Sequence, residues 1–184
     1  MNNILITGSP GVGKTTLVKK IIHRLKTSNV ECGGFYTEEV RSYNSRIGFD
    51  IVTLNGERAI LSRKKCTFVY YSPPQDGIQR PLVGQYAVYV DDFEKLALPV
   101  FENLQKIVVI DEIGKMEMFS KNFQNNVREV FDNKTVQVIA TIPVKGGPSL
   151  VKQLKERRDC QLITVNPSNR ENLVDEIVKS LSLH

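Results

Sequence analysis

The amino-acid sequence predicts an α/β fold of three layers (α/β/α), in which helices cover both faces of a mostly parallel central sheet. Short, wholly apolar runs recur along the chain, and amphipathic helical patterns separate them. Strands buried on both faces have this continuous apolar character, and their alternation with helices indicates a parallel sheet. A β-rich stretch at about residues 35–90 interrupts the alternation, and we interpret it as an antiparallel insertion.

Length and composition are those of one compact domain that spans residues 1–184. Hydrophobic residues make up 41% of the chain and charged residues 24%, which excludes disordered and fibrous proteins. The three cysteines form no C-x-x-C pair, so we expect neither a zinc site nor a disulfide framework. No apolar run approaches the roughly 18 residues that a membrane span needs. We therefore expect a cytoplasmic protein without membrane association, and we expect it to be a monomer.

The order of the predicted elements follows from the apolar spacing. Buried parallel strands are predicted at residues 3–7, 107–110, 136–141 and 161–165. Helices are predicted from Lys14 to about residue 26, from Asp91 to about residue 103, at 120–131, at 148–156 and after Ser168. Two helix starts have the spacing of a capping box, Asp91 with Glu94 and Ser168 with Glu171.

The insertion contains several short runs with strand character. Phe49, Ile51 and Thr53 occupy alternate positions, and β-rich runs follow at 58–61, 67–71 and 85–90. An Asn55-Gly56 pair between two of the runs predicts a hairpin. We interpret the stretch as an insertion or an extension of the sheet edge, because it is too short to form a core of its own.

A glycine-rich loop joins the first strand to the first helix. Its residues match G-x-x-x-x-G-K-[ST] and read Gly8, Ser9, Pro10, Gly11, Val12, Gly13, Lys14 and Thr15, followed by Thr16. The glycines allow backbone N–H groups to surround a phosphate, and the positive end of the helix points at the same anion. In this motif the lysine reaches the β- and γ-phosphates and the threonine hydroxyl binds Mg²⁺. The alternative is a glycine-rich turn that binds no ligand.

A second motif follows a buried strand. Ile107, Val108, Val109 and Ile110 lead into Asp111 and Glu112, the Walker B pattern. A parallel strand delivers Asp111 to the carboxyl edge of the sheet, where it can hold Mg²⁺ opposite Thr15. An acid in this place can also be a helix cap, but its pairing with the phosphate loop favours the metal site.

Glu112 is predicted to be the catalytic carboxylate, together with Lys14. An acid directly after the Walker B aspartate is the usual place for the group that orients the attacking water in additional-strand ATP hydrolases. The alternative is a charge that supports the site or the next helix. Ile113 and Gly114 complete the predicted nucleotide-binding turn, and Lys115 is either a charge stabiliser or a surface lysine.

Other charged residues allow two interpretations each. Arg41, in the string 35–41, is either a charge stabiliser or part of a surface ion-pair network with Glu38 and Glu39, which we favour. Arg170, after the last core strand, is predicted to contact the nucleotide base, or to be a surface residue. The basic pair at Arg157 and the net charge of +5 leave nucleic-acid binding open, although a solvated surface is favoured.

The chain resembles the cancer-related nucleoside-triphosphatase family of small P-loop proteins. The resemblance extends over nearly the whole chain, and its most particular strings are Gly34-Phe35-Tyr36-Thr37-Glu38-Glu39-Val40-Arg41 and Asp111-Glu112-Ile113-Gly114-Lys115-Met116-Glu117. It implies a P-loop NTPase fold and Mg²⁺-dependent hydrolysis of several nucleoside triphosphates, ATP and GTP included. One departure from the expected pattern is Gly146-Gly147.

Two alternatives to hydrolysis stay open at this point. A nucleotide or nucleoside kinase uses the same phosphate loop but needs an acceptor pocket with arginines, for which Arg157-Arg158 is the candidate pair. An NTP-binding switch or RNA-associated module would need a partner surface, which the sequence does not establish.

Overall fold

A computed structural model describes residues 2–65 and 77–181. The strands are β1 (Asn3–Thr7), β2 (Cys32–Ser42), β3 (Ser45–Thr53), β4 (Arg58–Lys64), β5 (Leu82–Val83), β6 (Tyr86–Val88), β7 (Ile107–Ile110), β8 (Gln137–Thr141) and β9 (Cys160–Thr164). The helices are α1 (Lys14–Thr27), α2 (Val90–Ala97), α3 (Pro99–Glu102), α4 (Lys121–Asp132), α5 (Ser149–Lys155) and α6 (Leu173–Ser180), with a short 3₁₀ turn at Glu117–Phe119. The predicted β-rich run at 67–71 lies outside the described residues.

The nine strands form one mixed sheet in the order β5-β6-β4-β3-β2-β7-β8-β1-β9. The half from β2 to β9 is parallel, and the half from β2 to β5 is antiparallel. Each of the four predicted core strands is confirmed, with no end displaced by more than one residue. The predicted α/β fold with helices on both faces is therefore confirmed.

The first residues of β2 form a fifth parallel strand that the sequence did not reveal. Cys32 to Phe35 pair with β7, although the prediction began the insertion at residue 35. Glycines interrupt the apolar run here because the two backbones approach closely. A Cβ at Gly34 would lie 2.0 Å from the carbonyl oxygen of Val109, and the φ angle of Gly34 is 126°. Glycine is the residue that satisfies both conditions.

The predicted insertion continues the same sheet. β2 and β3 form one hairpin, and β3 and β4 form the next around Asn55-Gly56, as predicted. In this turn the N–H of Thr53 donates to the carbonyl of Glu57 at 2.9 Å, and Gly56 has a φ of 93°. The predicted run at 85–90 is shorter as a strand, because Val90 already belongs to α2.

Alternate residues of the buried strands pack on opposite faces of the sheet, as the period of a strand requires. Ile4 and Ile6 of β1 pack with the buried residues of α1 and α6, whereas Leu5 packs on the other face. That other face is covered by α2, α4 and α5. At its centre the buried ring of Phe123 contacts three other aromatic rings, those of Phe35, Phe93 and Phe101, with centroids 5.1–5.9 Å away.

Both predicted capping boxes are wrong. α2 begins at Val90, so Asp91 is not its N-cap, and the N-cap Tyr89 provides no capping hydrogen bond from its side chain. Glu94 instead accepts a hydrogen bond from Ser120, the residue that does cap a helix, α4, by accepting from the N–H of Phe123. α6 begins at Leu173, after a series of turns in which Ser168 bonds to Asn166. Glu94 and Glu171 bond to residues distant in sequence, and Ser168 bonds within its own turn, so the spacing alone was misleading.

Within residues 2–65 and 77–181, no helix combines the length and apolar character that crossing a bilayer demands.

Removal of the Phe123 ring will test the core. Phe123→Ala is expected to lower the free energy of unfolding by about 3–5 kcal/mol, because the cavity adds to the loss of buried apolar surface. Phe123 is 0% exposed, whereas Phe119, the matched control, is 41% exposed. Urea denaturation of both alanine variants measures the difference. A loss at Phe123 no larger than the loss at Phe119 would contradict the central position of this ring.

Candidate active site

The glycine-rich loop connects β1 to the start of α1. Gly11 and Gly13 have φ angles of 75° and 107°, conformations that glycine adopts without strain. Gly13 is the N-cap of α1, so the first N–H groups of the helix point toward the space in front of the loop. The Lys14 ammonium group donates to the carbonyl of Gly8 at 3.0 Å, which holds it across the loop. The loop therefore presents both amide donors and a cation to one space.

That space is a cavity of about 980 Å³ at the carboxyl edge of the parallel strands. The side chain of Glu112 lies on its wall. The other lining residues come from the phosphate loop and α1, from β2 and β3, and from the loop after β8. They are Gly8, Ser9, Pro10, Gly11, Gly13, Lys14, Thr15, Thr16, Lys19, Thr37, Glu38, Glu39, Arg46, Phe49, Pro143, Val144 and Lys145.

Asp111 lies at the end of β7 and is only 1% exposed. Burial raises the pKa of its carboxyl group, while hydrogen bonds from the side chains of Thr141 and Thr15, the backbone of Thr37, and the charge of Lys14 oppose the rise. These contacts bring together the two motifs that are about 100 residues apart in the sequence. The phosphate loop and the Walker B acid therefore belong to one site.

The residues around Asp111 fit a magnesium ion. Its Oδ2 is buried and has no hydrogen-bond partner among the described residues, and the Thr15 hydroxyl lies at the same carboxyl group. No group of three His, Cys, Asp or Glu side chains suited to a metal occurs in the described part of the chain. Mg²⁺ does not need such a cage, because it is commonly held by one or two protein oxygens, water and substrate phosphates.

Two further carboxyl groups lie beside Asp111. Burial and the charge of Asp111 raise the pKa of Glu112, and Lys14 opposes the rise. Glu117 is 4% exposed, and burial, followed by the charge of Glu112, raises its pKa to about 8. Glu117 accepts a hydrogen bond from the N–H of Gly114 at 3.1 Å. Sequence reasoning did not assign it a role, and an acid between two methionines in a short 3₁₀ turn is a weak signal.

Several predicted nucleotide-binding residues do not line the cavity, and that part of the prediction is corrected. Ile107, Val108, Val109, Ile110 and Ile113 are at most 2% exposed and pack in the two apolar cores, where they fix the strand that carries Asp111. Val12 packs against the core beneath α1, and the Gly114 N–H is directed at Glu117. The isoleucine and valine side chains of this set therefore position the site from within the core and do not line it.

The predicted arginines and Lys115 lie in different regions of the structure. Arg170 lies above the phosphate loop, with Nη1 3.5 Å from the carbonyl of Val12. Arg41 pairs with Glu39 on the β2–β3 hairpin, which confirms the ion-pair interpretation. Arg157 forms ion pairs with Asp159 and Asp132. It lies next to the amino end of β9, at the edge of the sheet opposite to the phosphate loop. Lys115 is exposed and lies outside the cavity lining.

The missed residues of the cavity wall come from distant parts of the chain. Arg46 and Phe49 lie on β3, and the Arg46 guanidinium stands 5.3 Å from the centre of the Phe49 ring. Lys19 of α1 pairs with Glu38 of β2 and lies 4.5 Å from the ring centre of Tyr36. No local motif marks these positions, because the register of the β2–β3 hairpin places them there.

Comparison with known proteins agrees with this geometry. A family model described as NTPase matches residues 3–178. The chain belongs to this NTPase family. A human protein named cancer-related nucleoside-triphosphatase is 46% identical over 96% of this chain and 94% of its own length. The nucleoside-triphosphatase THEP1 of Aquifex aeolicus is 42% identical over 97% of this chain and 98% of its own. The resemblance seen in the sequence is thereby confirmed.

Two solved structures of NTPase relatives have the same fold. The crystal structure of THEP1 from Aquifex aeolicus matches with a TM-score of 0.82 and 41% identity, over 98% of this chain and 99% of that one. The solution structure of the human cancer-related nucleoside triphosphatase matches with a TM-score of 0.81 and 44% identity, over 99% and 98%. This chain therefore shares its fold with both relatives over nearly its whole length.

The raised pKa of Glu117 predicts a pH-dependent stability difference. Because the protonated carboxyl is favoured in the folded protein, its contribution is complete below the ordinary pKa of about 4.5 and is lost as the pH rises through about 8. Glu117→Gln, which stays neutral, is therefore expected to gain stability relative to the unchanged protein between pH 5 and 8.

Denaturant unfolding at several pH values measures this difference. The exposed Glu102→Gln is the control and should follow the unchanged protein at every pH. A difference between Glu117→Gln and the unchanged protein that does not vary with pH would show that Glu117 is ionised in the folded state.

Proposed function

We propose that this protein is a Mg²⁺-dependent nucleoside-triphosphatase that hydrolyses the γ-phosphate anhydride of ATP, GTP and other nucleoside triphosphates to give a diphosphate and phosphate. The observation that carries the proposal is that Lys14, Thr15 and Glu112 line one cavity, and that the buried carboxyl group of Asp111 lies next to Thr15 and Lys14. Membership of the NTPase family and the printed names of the relatives support a hydrolase.

The phosphate loop binds the triphosphate in this proposal. The N–H groups at the start of α1 and the loop glycines surround the β-phosphate, and Lys14 moves from the Gly8 carbonyl to the β- and γ-phosphate oxygens. Thr15 and Asp111 would hold Mg²⁺, which would neutralise part of the phosphate charge when bound. The chain thereby fixes the γ-phosphate at the edge where Glu112 lies.

Glu112 orients the attacking water. The water oxygen forms a bond to the γ-phosphorus while the bond from phosphorus to the bridging oxygen breaks, and the electron pair of that bond leaves with the diphosphate. The water proton passes to Glu112 and then to the released phosphate. Burial raises the pKa of Glu112 and so makes it a better proton acceptor than a solvated carboxylate.

Arg170 is proposed to contact the nucleotide base. It lies on the outer side of the phosphate loop and lines a small pocket with Gly13, Thr16 and Glu171. A guanidinium group can stack on any base, which favours broad base specificity. The Arg170 side chain is 46% exposed, so a base stacked on it would remain in contact with solvent. Enzymes distinguish one base from another chiefly by buried hydrogen bonds, which such a base would not form.

We also propose that the protein acts as a cytoplasmic monomer without a nucleic-acid partner. The two densest basic runs of the sequence are Arg63-Lys64-Lys65 and Arg157-Arg158, and internal contacts occupy part of each. Arg63 is 8% exposed and bonds to Asp50 at 2.6 Å, and Arg157 bonds to two aspartates. Charges neutralised within the protein contribute little to phosphate binding.

The decisive experiment measures phosphate release from ATP and GTP by the purified protein, with Mg²⁺ or with EDTA, and with or without added nucleosides and nucleotides as acceptors. The proposal expects release that requires Mg²⁺ and needs no acceptor. Phosphoryl transfer that depends on an acceptor would identify a kinase instead. Tight nucleotide binding without turnover would identify an NTP-dependent switch.

Removal of the loop lysine is expected to abolish both binding and turnover. Lys14→Ala deletes the cation that contacts the β- and γ-phosphates, so affinity for ATP should fall at least about 10-fold and phosphate release about 100-fold or more. Lys121→Ala, an exposed lysine at the start of α4, is the control and should match the unchanged protein. Equal affinity in the two variants would exclude Lys14 from phosphate binding.

Neutralisation of Glu112 is expected to separate binding from chemistry. Glu112→Gln keeps the shape of the side chain but cannot accept the water proton, so kcat should fall about 100-fold while nucleotide affinity changes little. Single-turnover phosphate release and titration with a fluorescent nucleotide give the two quantities. The exposed Glu129→Gln on α4 is the control. If kcat of Glu112→Gln stays within twofold of the control, Glu112 is not the base.

A further inference from the structure

The loop after β8 lies between the two parts of the proposed site, the phosphate loop and the acids that follow β7. β8 lies between β1, which leads into the phosphate loop, and β7, which ends at Asp111. The backbone continues this position, since the N–H of Ile142 donates to the carbonyl of Ile6 at 2.9 Å. The residues that follow, Pro143, Val144 and Lys145, line the cavity. The sheet order therefore directs this loop toward the place proposed for the γ-phosphate.

Two of the four cations that line the cavity are neutralised by a neighbouring carboxylate. The four cations are Lys14, Lys19, Arg46 and Lys145. Lys19 pairs with Glu38, and Arg46 pairs with Glu39. Within residues 2–65 and 77–181, Lys145 has no ion pair or side-chain hydrogen bond. Its charge is therefore available to a ligand, as is that of Lys14, which bonds only to loop carbonyls.

The base of the loop is fixed while its tip remains exposed. The Lys155 ammonium group, at the end of α5, donates to the carbonyls of Pro143 at 2.9 Å and Val144 at 3.0 Å. Gly146 follows with a φ of 61°, which turns the chain back toward α5. Lys145 thus stands on an exposed turn whose preceding residues are held by Lys155.

We propose that Lys145 contacts the γ-phosphate during hydrolysis and stabilises the charge that develops as the bridging bond breaks. The inference rests on the proposed hydrolase function, and it makes Lys145 a further catalytic residue with Lys155 as the residue that positions its loop. A cation supplied beside the phosphate loop acts on the transition state because negative charge shifts onto the bridging and γ-oxygens there. Neither lysine belongs to a recognised motif of the sequence.

The test compares Lys145→Met with Lys145→Arg and with Lys152→Met, a matched control. Lys152 lies on α5, is 82% exposed and makes only a 4.0 Å ion pair with Glu156. Steady-state phosphate release from ATP with Mg²⁺ gives kcat and KM, and thermal unfolding verifies the fold of each variant. A second measurement compares the affinity for ADP with that for ADP and aluminium fluoride, a mimic of the transferring phosphoryl group.

The proposal expects kcat of Lys145→Met to fall about 100-fold with KM changed less than about threefold. The variant should bind ADP normally and lose most of the extra affinity for the aluminium fluoride complex. Lys145→Arg should retain most of the activity, and Lys152→Met should match the unchanged protein. Lys155→Met should lower kcat by a smaller factor, which Lys155→Arg should restore.

Two results would overturn the inference while leaving the hydrolase intact. One is a kcat of Lys145→Met within threefold of the control, and the other is a loss that appears only in KM with the affinity for the mimic unchanged. Absence of phosphate release from the unchanged protein would instead reject the proposed function, and this inference with it.

Discussion

The arrangement of the site depends on the polar contacts that stabilise the buried carboxyl group of Asp111. A carboxyl group this far from water is stable only if neighbouring groups hydrogen-bond to it, because an unpaired buried charge costs several kcal/mol. The Thr141 hydroxyl at the end of β8 donates to it, and Thr15 at the start of α1 and the backbone of Thr37 in β2 lie close enough to lower its pKa. The sheet order that sets β2 and β8 on either side of β7 is therefore also what makes this carboxyl tolerable.

The same constraint explains why the site is electrostatically unbalanced. Asp111, Glu112 and Glu117 have raised pKa values, each chiefly because of burial, and the charge of Lys14 opposes the rise only for the first two. Glu117 instead accepts a hydrogen bond from the N–H of Gly114, and a carboxyl group can accept this bond whether it is protonated or ionised. A cluster with more acids than cations would gain stability if a cation bound to it, which supports the proposed Mg²⁺ site.

The sequence predicted what depends on local pattern and missed what depends on register. The four apolar strands and the phosphate loop were identified because each pattern lies within a few residues. The capping boxes at Asp91 and Ser168 failed because their spacing also occurs where no cap forms, and Glu94 is used by Ser120. Arg46 and Lys145 reach the cavity only through the pairing of β2 with β3 and the position of β8, which no single segment encodes.

The antiparallel half of the sheet, which the sequence analysis interpreted as an insertion, helps to form the cavity. It supplies the wall of the cavity opposite the loop after β8, and its charges are held in place by pairs across the strands. Arg58 bridges Glu38 and Asp50, and Arg63 reaches the same Asp50 from a buried position. Because these carboxylates are neutralised by arginines of their own sheet, this wall of the cavity carries little net negative charge. A wall of free acids there would repel a polyanion, so these ion pairs support the proposal that a triphosphate binds in the cavity.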